Sequence, residues 1–268
     1  MMRPDVKFPI GLLARFTQNP AEIHWNNLKR VIRYLYTTWD LWLHLGGKET
    51  IIEGFTDSDW ASQNDRHSVS GYVFWIRNGA VTWNSKRQSL IALSTTEAEY
   101  IAATHAGKEV FWVQALLKEL DYKAPDVFPL RCDNQSAIAL CRDSKFHART
   151  KHIDIRYHFI CEAVSDRKME IHYVPSNENL ADIMTKALGR TQFEKFVKML
   201  GLRAFAWGEV LECEPERYSE WLQKFRHILW HSGTLWKFQR LSLLCFRLDV
   251  SSLIRVLGTV QALPKLIY

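Results

Sequence analysis

Acidic side chains recur at the ends of short segments whose composition suggests strands and helix starts. The stretch "GFTDSDWAS" places Asp57 and Asp59 on one face of an extended segment, where neighbouring carboxylates repel each other unless a cation lies between them. Further acids are Glu97, Glu99, Asp133 and Asp182. Four carboxylates that meet at one point need cations to offset their repulsion, and with two Mg²⁺ ions they form a phosphodiester-cleaving site.

Each of these acids also has a purely structural interpretation. Glu97 completes a capping box with Ser94, a role we favour over catalysis, whereas Glu99 has no capping role and is the better catalytic candidate. Asp133 could cap the helix that follows it. Asp182 could be a first-turn acid favoured by the helix dipole. Taken singly the structural interpretations are favoured, but the order of the elements favours a common site.

Hydrophobic periodicity and turn signals predict the elements that position these acids. Residues 1–45 are predicted to be mostly helical, and residues 48–87 to form three antiparallel strands, with Asn78-Gly79 as a hairpin signal. A long helix is predicted over residues 94–120. The strand "VFPLRC", two helices, the strand "KMEIHYVP" and the helix "NLADIMTKAL" follow. This order predicts an α/β fold with a mixed five-stranded sheet, at whose rim strand ends and helix starts meet.

Composition and charge narrow the class of protein. The chain has 268 residues, of which 47% are hydrophobic, and a net charge of +6, which weakly favours a polyanionic partner. Its five cysteines form no CxxC pair, which argues against a zinc site. They fit a reducing, intracellular compartment, cytoplasmic or nuclear. We see no signal peptide and no apolar run long enough to span a membrane, so no membrane partner is expected.

Five stretches carry a resemblance to a known family. They are "GFTDSDWAS", "LSTTEAEYIAAT", "LRCDNQSAIAL", "KHIDIRYHFICE" and "VPSNENLADIMTKAL". From residue 54 to 202 the chain resembles the ribonuclease H domain of copia-type LTR retrotransposon Pol polyproteins. The resemblance predicts a helical reverse transcriptase connection remnant over residues 1–47 and a ribonuclease H domain over 48–203. A poorly defined tail, irregular or helical, is predicted over 204–268.

The resemblance implies a ribonuclease H-like fold with a four-carboxylate, two-metal site. Carried over by motif, the catalytic and metal-binding residues are Asp57, Glu99, Asp133 and Asp182. Asp59 is then a neighbour and not a ligand. The implied cofactor is a pair of Mg²⁺ ions, with Mn²⁺ as an alternative, and the implied substrate is the RNA strand of an RNA–DNA hybrid. The implied partner is the reverse transcriptase part of a longer polyprotein.

Two basic residues are candidates for contact with nucleic acid. Lys86 and Arg87, in "NSKRQS", precede the predicted catalytic helix, and such bases position a duplex through its phosphates without reading its sequence. A solvated turn is an equally weighted alternative for both. The sequence therefore leaves the role of this pair open.

Three functions stay open at the level of sequence. The first is a ribonuclease H, and the second is a catalytically inactive, nucleic-acid-binding remnant or domesticated fragment. The third, a transposase or integrase on the same fold, needs a different acid spacing, and Asp182 argues against it. The loop "VPSNEN" lacks the mobile histidine of many ribonucleases H, and His172 lies inside a predicted strand, which predicts a slower or more substrate-dependent enzyme. No polymerase motif is visible, so the chain should not polymerise DNA.

Overall fold

The computed structural model describes residues 3–46, 51–61, 65–122, 124–142 and 158–204. The helices are α1 (Lys7–Leu13), α2 (Glu22–Thr37), α3 (Thr95–Glu119), α4 (Gln135–Arg142), α5 (His158–Ser165) and α6 (Arg190–Met199). The strands are β1 (Leu41–Leu43), β2 (Ile52–Asp59), β3 (Val69–Ile76), β4 (Gly79–Arg87), β5 (Phe128–Cys132), β6 (Met169–Tyr173) and β7 (Leu202–Ala204). Short 3₁₀ helices cover Pro4–Val6, Ala14–Phe16, Ser176–Glu178 and Leu180–Met184. Beyond its first residue, the predicted tail lies outside the described residues.

The central sheet has five strands in the order β4-β3-β2-β5-β6. The strands β2, β3 and β4 pair antiparallel, whereas β5 joins β2 and β6 joins β5 in parallel. Parallel neighbours need a long crossover, which α3 provides before β5, and α4 and α5 before β6. The mixed five-stranded sheet predicted from the sequence is confirmed.

Two apolar clusters cover the two faces of this sheet. Residues alternate between the faces along each strand, so the paired residues Phe55 and Val73 face one side, and Phe74 the other. The larger cluster joins Phe74 to α3, α4 and α5 through side chains such as Ile101 and Ile160. The smaller cluster joins Phe55 and Val73 to residues near the end of the described chain. Both faces of β2 are therefore buried, which fixes the strand that carries the first acid.

The start of α3 is fixed by the predicted capping box. The hydroxyl of Ser94 accepts a hydrogen bond from the Glu97 backbone N–H at 3.1 Å, and the Glu97 carboxylate accepts one from the Leu93 N–H at 2.8 Å. Glu97 thus has a structural role at this helix start, although its carboxylate holds the N–H of Leu93, one residue before the cap residue Ser94. Because the first half of the helix is buried against the sheet, this cap also determines where Glu99 lies.

The hairpin between β3 and β4 is present, but its turn lies one residue earlier than predicted. Arg77 and Asn78 form the turn, with φ of 49° and 67°, as a type I′ turn requires. Gly79 instead begins β4 and meets another part of the chain. A Cβ at Gly79 would lie 2.3 Å from the His44 carbonyl oxygen, so only glycine permits this approach.

The N-terminal segment, predicted to be mostly helical, contains two α-helices and also one short strand. After α2, Leu41–Leu43 forms β1, which pairs antiparallel with β7 at the other end of the described chain. The reason is packing, because Leu41 and Leu43 contact the smaller apolar cluster. The boundaries predicted at residues 47 and 203 stay predictions. None of the described helices has both the length and the apolar character needed to span a bilayer.

The segment "NLADIMTKAL" also differs from its prediction. It forms a short 3₁₀ helix, Leu180–Met184, and not an α-helix. The side chain of Asn179 caps this helix by accepting from the Ala181 N–H at 3.2 Å, and donates to the Thr56 carbonyl at 3.0 Å. The tight turn thereby anchors the segment to β2, where an acid is also located.

Candidate active site

The first acid, Asp57, lies inside β2 and is fully buried, at 0% exposure. Its neighbour across the ladder is Gly71 of β3. A Cβ at Gly71 would lie 2.6 Å from Thr185 Cγ2 and 2.7 Å from Met184 Cβ. The missing side chain therefore lets the 3₁₀ helix that carries Asp182 pack directly against β3, beside Asp57.

The second acid, Glu99, lies in the first turns of α3 and is 5% exposed. One carboxylate oxygen accepts a hydrogen bond from the Ser58 backbone N–H at 3.1 Å, and the other lies 3.9 Å from the Cys132 sulfur. Burial, and then the charges of Asp57 and Asp133, raise the pKa of Glu99 well above its usual range. A divalent cation would offset this cost by neutralising the carboxylates.

The third acid, Asp133, directly follows β5 and links two groups of potential ligand atoms. In each group the atoms lie within 4.8 Å of one another. The groups are Asp57, Asp133 and Asp182, and Glu99, Cys132 and Asp133. A hydrogen bond of 2.7 Å from the Ser176 hydroxyl holds the Asp133 carboxylate. Asp133 is the shared member, so it could contact cations in both positions.

The fourth acid, Asp182, lies in the capped 3₁₀ helix and is 7% exposed. Burial, followed by the charge of Asp57, raises the pKa of Asp182 to about 7. Burial also raises the pKa of Asp57, although Lys186 and the Thr185 hydroxyl act in the opposite direction. The two acids thus carry an electrostatic cost that a bound cation would relieve.

Lys186 is the functional candidate that sequence reasoning missed. Its Nζ donates to Asp57 Oδ1 and to Asp182 Oδ1, both at 3.0 Å. The Thr185 hydroxyl donates to the other oxygen of Asp57. Burial lowers the pKa of Lys186, but the two carboxylates outweigh burial and raise it. The available signal was a lysine four residues after the acid in "ADIMTK".

The residues present fit a divalent cation. Carboxylate oxygens are the ligands that hard cations prefer, and four carboxylates reach this rim of the sheet from four separate elements. The hydroxyl of Ser58 is also buried, and it has no hydrogen-bond partner among the described residues. Asp57, Glu99, Asp133 and Asp182 are therefore acids that could bind a metal.

Other predicted site residues lie apart from this cluster. Asp59 ends β2, is partly exposed, and belongs to neither group of ligand atoms found in the described chain. Lys86 and Arg87 are consecutive in β4, so their side chains face opposite sides of the sheet. Arg87 forms a 2.6 Å ion pair with Asp65. The two bases do not form one patch, and their contact with phosphates stays a prediction.

The strand order, the position of α3 and the four converging carboxylates define a ribonuclease H-like fold with an acidic rim. No family model matches the chain. Over 203 residues, 75% of this chain, it is 44% identical to the Retrovirus-related Pol polyprotein from transposon TNT 1-94 of Nicotiana tabacum, and covers 15% of that protein. It is 35% identical over 202 residues, again 75% of the chain, to the Pol polyprotein from transposon RE2 of Arabidopsis thaliana, and covers 14% of it.

The chain belongs to the family of copia-type retrotransposon Pol polyproteins, and spans about 15% of the length of these two relatives. Among solved structures, it is similar to LC11-RNase H1, isolated from compost by a metagenomic approach. That likeness has 16% identity and a TM-score of 0.38, and it covers 55% of this chain and 98% of the other.

Proposed function

We propose that this chain is a ribonuclease H-type endonuclease that hydrolyses the RNA strand of an RNA–DNA hybrid with two Mg²⁺ ions, or Mn²⁺ in their place. The convergence of Asp57, Glu99, Asp133 and Asp182 from four elements of the fold, with Asp133 shared between two groups of ligand atoms, is the observation that carries the proposal. Two adjoining cation positions are what in-line cleavage of a phosphodiester uses.

The mechanism assigns a role to each side chain at the rim. The four acids would hold the two ions, whose chemistry would be to activate a water and to stabilise the leaving 3′ oxygen. Ser176 holds Asp133, and the Ser58 backbone N–H orients Glu99. The Thr185 hydroxyl orients Asp57. Lys186 balances the acids before a cation binds, because its ammonium contacts Asp57 and Asp182.

Family membership supports the proposed substrate and partner. The 2′-hydroxyls of RNA distinguish the strand to be cut from the DNA strand. The reverse transcriptase part of a longer polyprotein is the proposed partner, since the chain matches only a small part of its relatives. The proposal includes a ribonuclease H domain over residues 48–203, a connection remnant before it, and a cytoplasmic or nuclear location.

Two observations favour a second candidate function, a domesticated fragment that binds nucleic acid without cutting it. Lys186 pairs with both Asp57 and Asp182 at 3.0 Å, so a side chain of the protein itself offsets part of the charge of these acids. Ser176 occupies the loop in which many ribonucleases H have a histidine, and it offers only a hydroxyl. These features predict slow cleavage at best, and complete loss at the extreme.

Cleavage of an end-labelled RNA–DNA hybrid tests the proposal. The unaltered chain should cut only the RNA strand, in Mg²⁺ and not with a chelator. Asp133→Asn should lower the rate by on the order of 100-fold or more, because metal-bound charge stabilisation is worth several kcal/mol.

Asp59→Asn is the matched control, since the same substitution on β2 lies outside both groups of ligand atoms and should leave the rate nearly unchanged. A folded chain that binds the hybrid without cutting it would favour the domesticated fragment. Equal losses in both variants would contradict the assignment of Asp133.

A further inference from the structure

A second polar recess lies away from the four acids, on the face of the sheet covered by α3 and next to the edge strand β4. Residues of three elements line it: Ser70, Tyr72, Asn84, Lys86, His105 and Lys108. Lys86 and Lys108 are exposed, whereas Ser70 and Tyr72 at the base of the recess are buried. The recess therefore combines neutral hydrogen-bonding groups with two ammonium groups at its opening.

The two lysines of this recess differ from most other bases near the sheet in their surroundings. Among the described residues, no ion pair involves Lys86 or Lys108. The carboxylate closest in sequence, that of Glu109, accepts a 2.6 Å hydrogen bond from Thr82. Lys86, His105 and Lys108 line the same recess, and burial, followed by the charges of the two lysines, lowers the pKa of His105 to about 4. A bound anion would relieve this repulsion.

The neighbouring base shows the contrast within one strand. Arg87 is next to Lys86 in β4, but it faces the other side of the sheet and pairs with Asp65 at 2.6 Å. Arg87 thus has an acidic partner and Lys86 has none among the described residues. The two positions form a natural matched pair for mutation.

The strand register links the recess to the candidate active site. Lys86 pairs with Ser70, and Ser70 pairs with Ser58, whose N–H holds Glu99. Two strand spacings separate Lys86 from Ser58, which is about 10 Å. One strand of a duplex has a phosphate roughly every 3.4 Å along the axis, so a duplex at the acids extends past the recess within a few nucleotides.

We propose that the recess binds a backbone phosphate of the nucleic acid held at the four carboxylates. Ammonium, hydroxyl, amide and imidazole groups are all donors to phosphate oxygens, and contacts of this kind position a duplex without reading its sequence. The inference rests on the proposed function for the nature of the ligand, but not on cleavage. It adds His105 and Lys108 to the substrate-binding residues and assigns Arg87 no part.

Hybrid binding at several salt concentrations tests this site. The full chain with Asp133→Asn, which prevents turnover, is compared with the same chain carrying Lys86→Gln and Lys108→Gln, or Arg87→Gln. Fluorescence anisotropy with a labelled hybrid gives Kd between about 50 and about 200 mM salt. The lysine variant should bind roughly tenfold more weakly at low salt, and its slope of log K against log salt should fall by about 1.

Arg87→Gln should leave both the affinity and the slope unchanged. An equal loss in Arg87→Gln, or an unchanged slope in the lysine variant, would overturn the proposal. Titration with inorganic phosphate distinguishes free phosphate from a backbone phosphate as the ligand. If phosphate shifts the His105 imidazole NMR signal, but replacing both lysines does not change hybrid binding, the recess binds free phosphate and the backbone proposal is wrong.

Cleavage by the chain with an intact Asp133 is measured separately. If the chain does not cut the hybrid but still binds it through the two lysines in a salt-dependent way, the proposed cleavage activity is wrong and the proposed phosphate site is retained. If the folded chain binds no hybrid, the proposal that the recess binds a backbone phosphate is wrong.

Discussion

The carboxylate cluster and the basic recess lie close together on one sheet, but the charged groups of the cluster are mostly buried and those of the recess are exposed to solvent. Asp57, Glu99 and Asp182 are at most 7% exposed, so water does little to screen their repulsion. Lys86 and Lys108 are exposed, and solvent and salt screen theirs. Buried charges give a precisely positioned site that costs stability, whereas exposed charges cost little and attract a polyanion from a distance.

The largest expected effect is on the free energy of unfolding, and it concerns Lys186, the only lysine found between buried acids in the described chain. Lys186→Met leaves Asp57 and Asp182 without a counter-charge. Because the Lys186 side chain is 33% exposed, the loss should be somewhat smaller than the roughly 3–5 kcal/mol expected for a fully buried pair. Urea unfolding with a chelator, above the pKa of Asp182 at about 7, should show this loss. Lys195→Met, which removes an exposed 2.8 Å hydrogen bond to the Asn177 carbonyl and a cation–π contact with the Phe196 ring, should cost about 1 kcal/mol or less. Equal losses of stability in the two variants would mean that Lys186 does not stabilise the buried acids.

The second difference is a dependence of stability on pH. Burial raises the pKa of Asp182 to about 7 in the folded protein, so the neutral acid favours the folded state at low pH. The metal-free protein should therefore lose stability as pH rises from about 4 to about 7, by up to roughly 4 kcal/mol from this group. Asp182→Asn should flatten that part of the curve, measured by urea unfolding at each pH. An unchanged curve in the variant would contradict the assigned pKa.

A third, smaller effect tests how closely the cluster is packed. Gly71→Ala brings a Cβ to within 2.6 Å of Thr185 Cγ2, and overpacking of this kind typically costs about 1–3 kcal/mol. Gly11→Ala is the matched control, because the nearest atom to its added Cβ is 4.0 Å away and the site is helical. That variant should gain about 0.5–1 kcal/mol. A thermal unfolding series that ranks the two variants in the opposite order would refute the close approach.

The smallest effect is expected at the recess. Lys86→Gln with Lys108→Gln removes two exposed charges that have no acidic partner in the described part of the chain. The free energy of unfolding should change by less than about 0.5 kcal/mol, or rise slightly as repulsion from His105 is relieved. A loss of several kcal/mol in urea unfolding would show that the lysines support the fold and do not serve a ligand.

Local patterns predicted much of this architecture. Segments rich in β-branched residues predicted the strands, and "STTE" predicted the start of α3. Both kinds of element depend mainly on residues that are close in sequence. The four acids were identified from motif position, and the structure brings them together at one rim. Lys186 and Gly71 could not be predicted in the same way, because their roles depend on how the 3₁₀ helix packs against β2 and β3. The split between Lys86 and Arg87 likewise depends on the strand register. The predicted cellular location stays a prediction.

The pairing of β1 with β7 has a consequence for the evolution of such a domain. Leu43 lies opposite Leu202, so the chain enters and leaves the five-stranded unit at adjacent points. A unit whose entry and exit are neighbours can be inserted into a host protein, or excised from one, without forcing the flanking segments apart. The short β1–β7 ribbon thus holds the two ends of the five-stranded unit side by side, which is the arrangement that insertion and excision require.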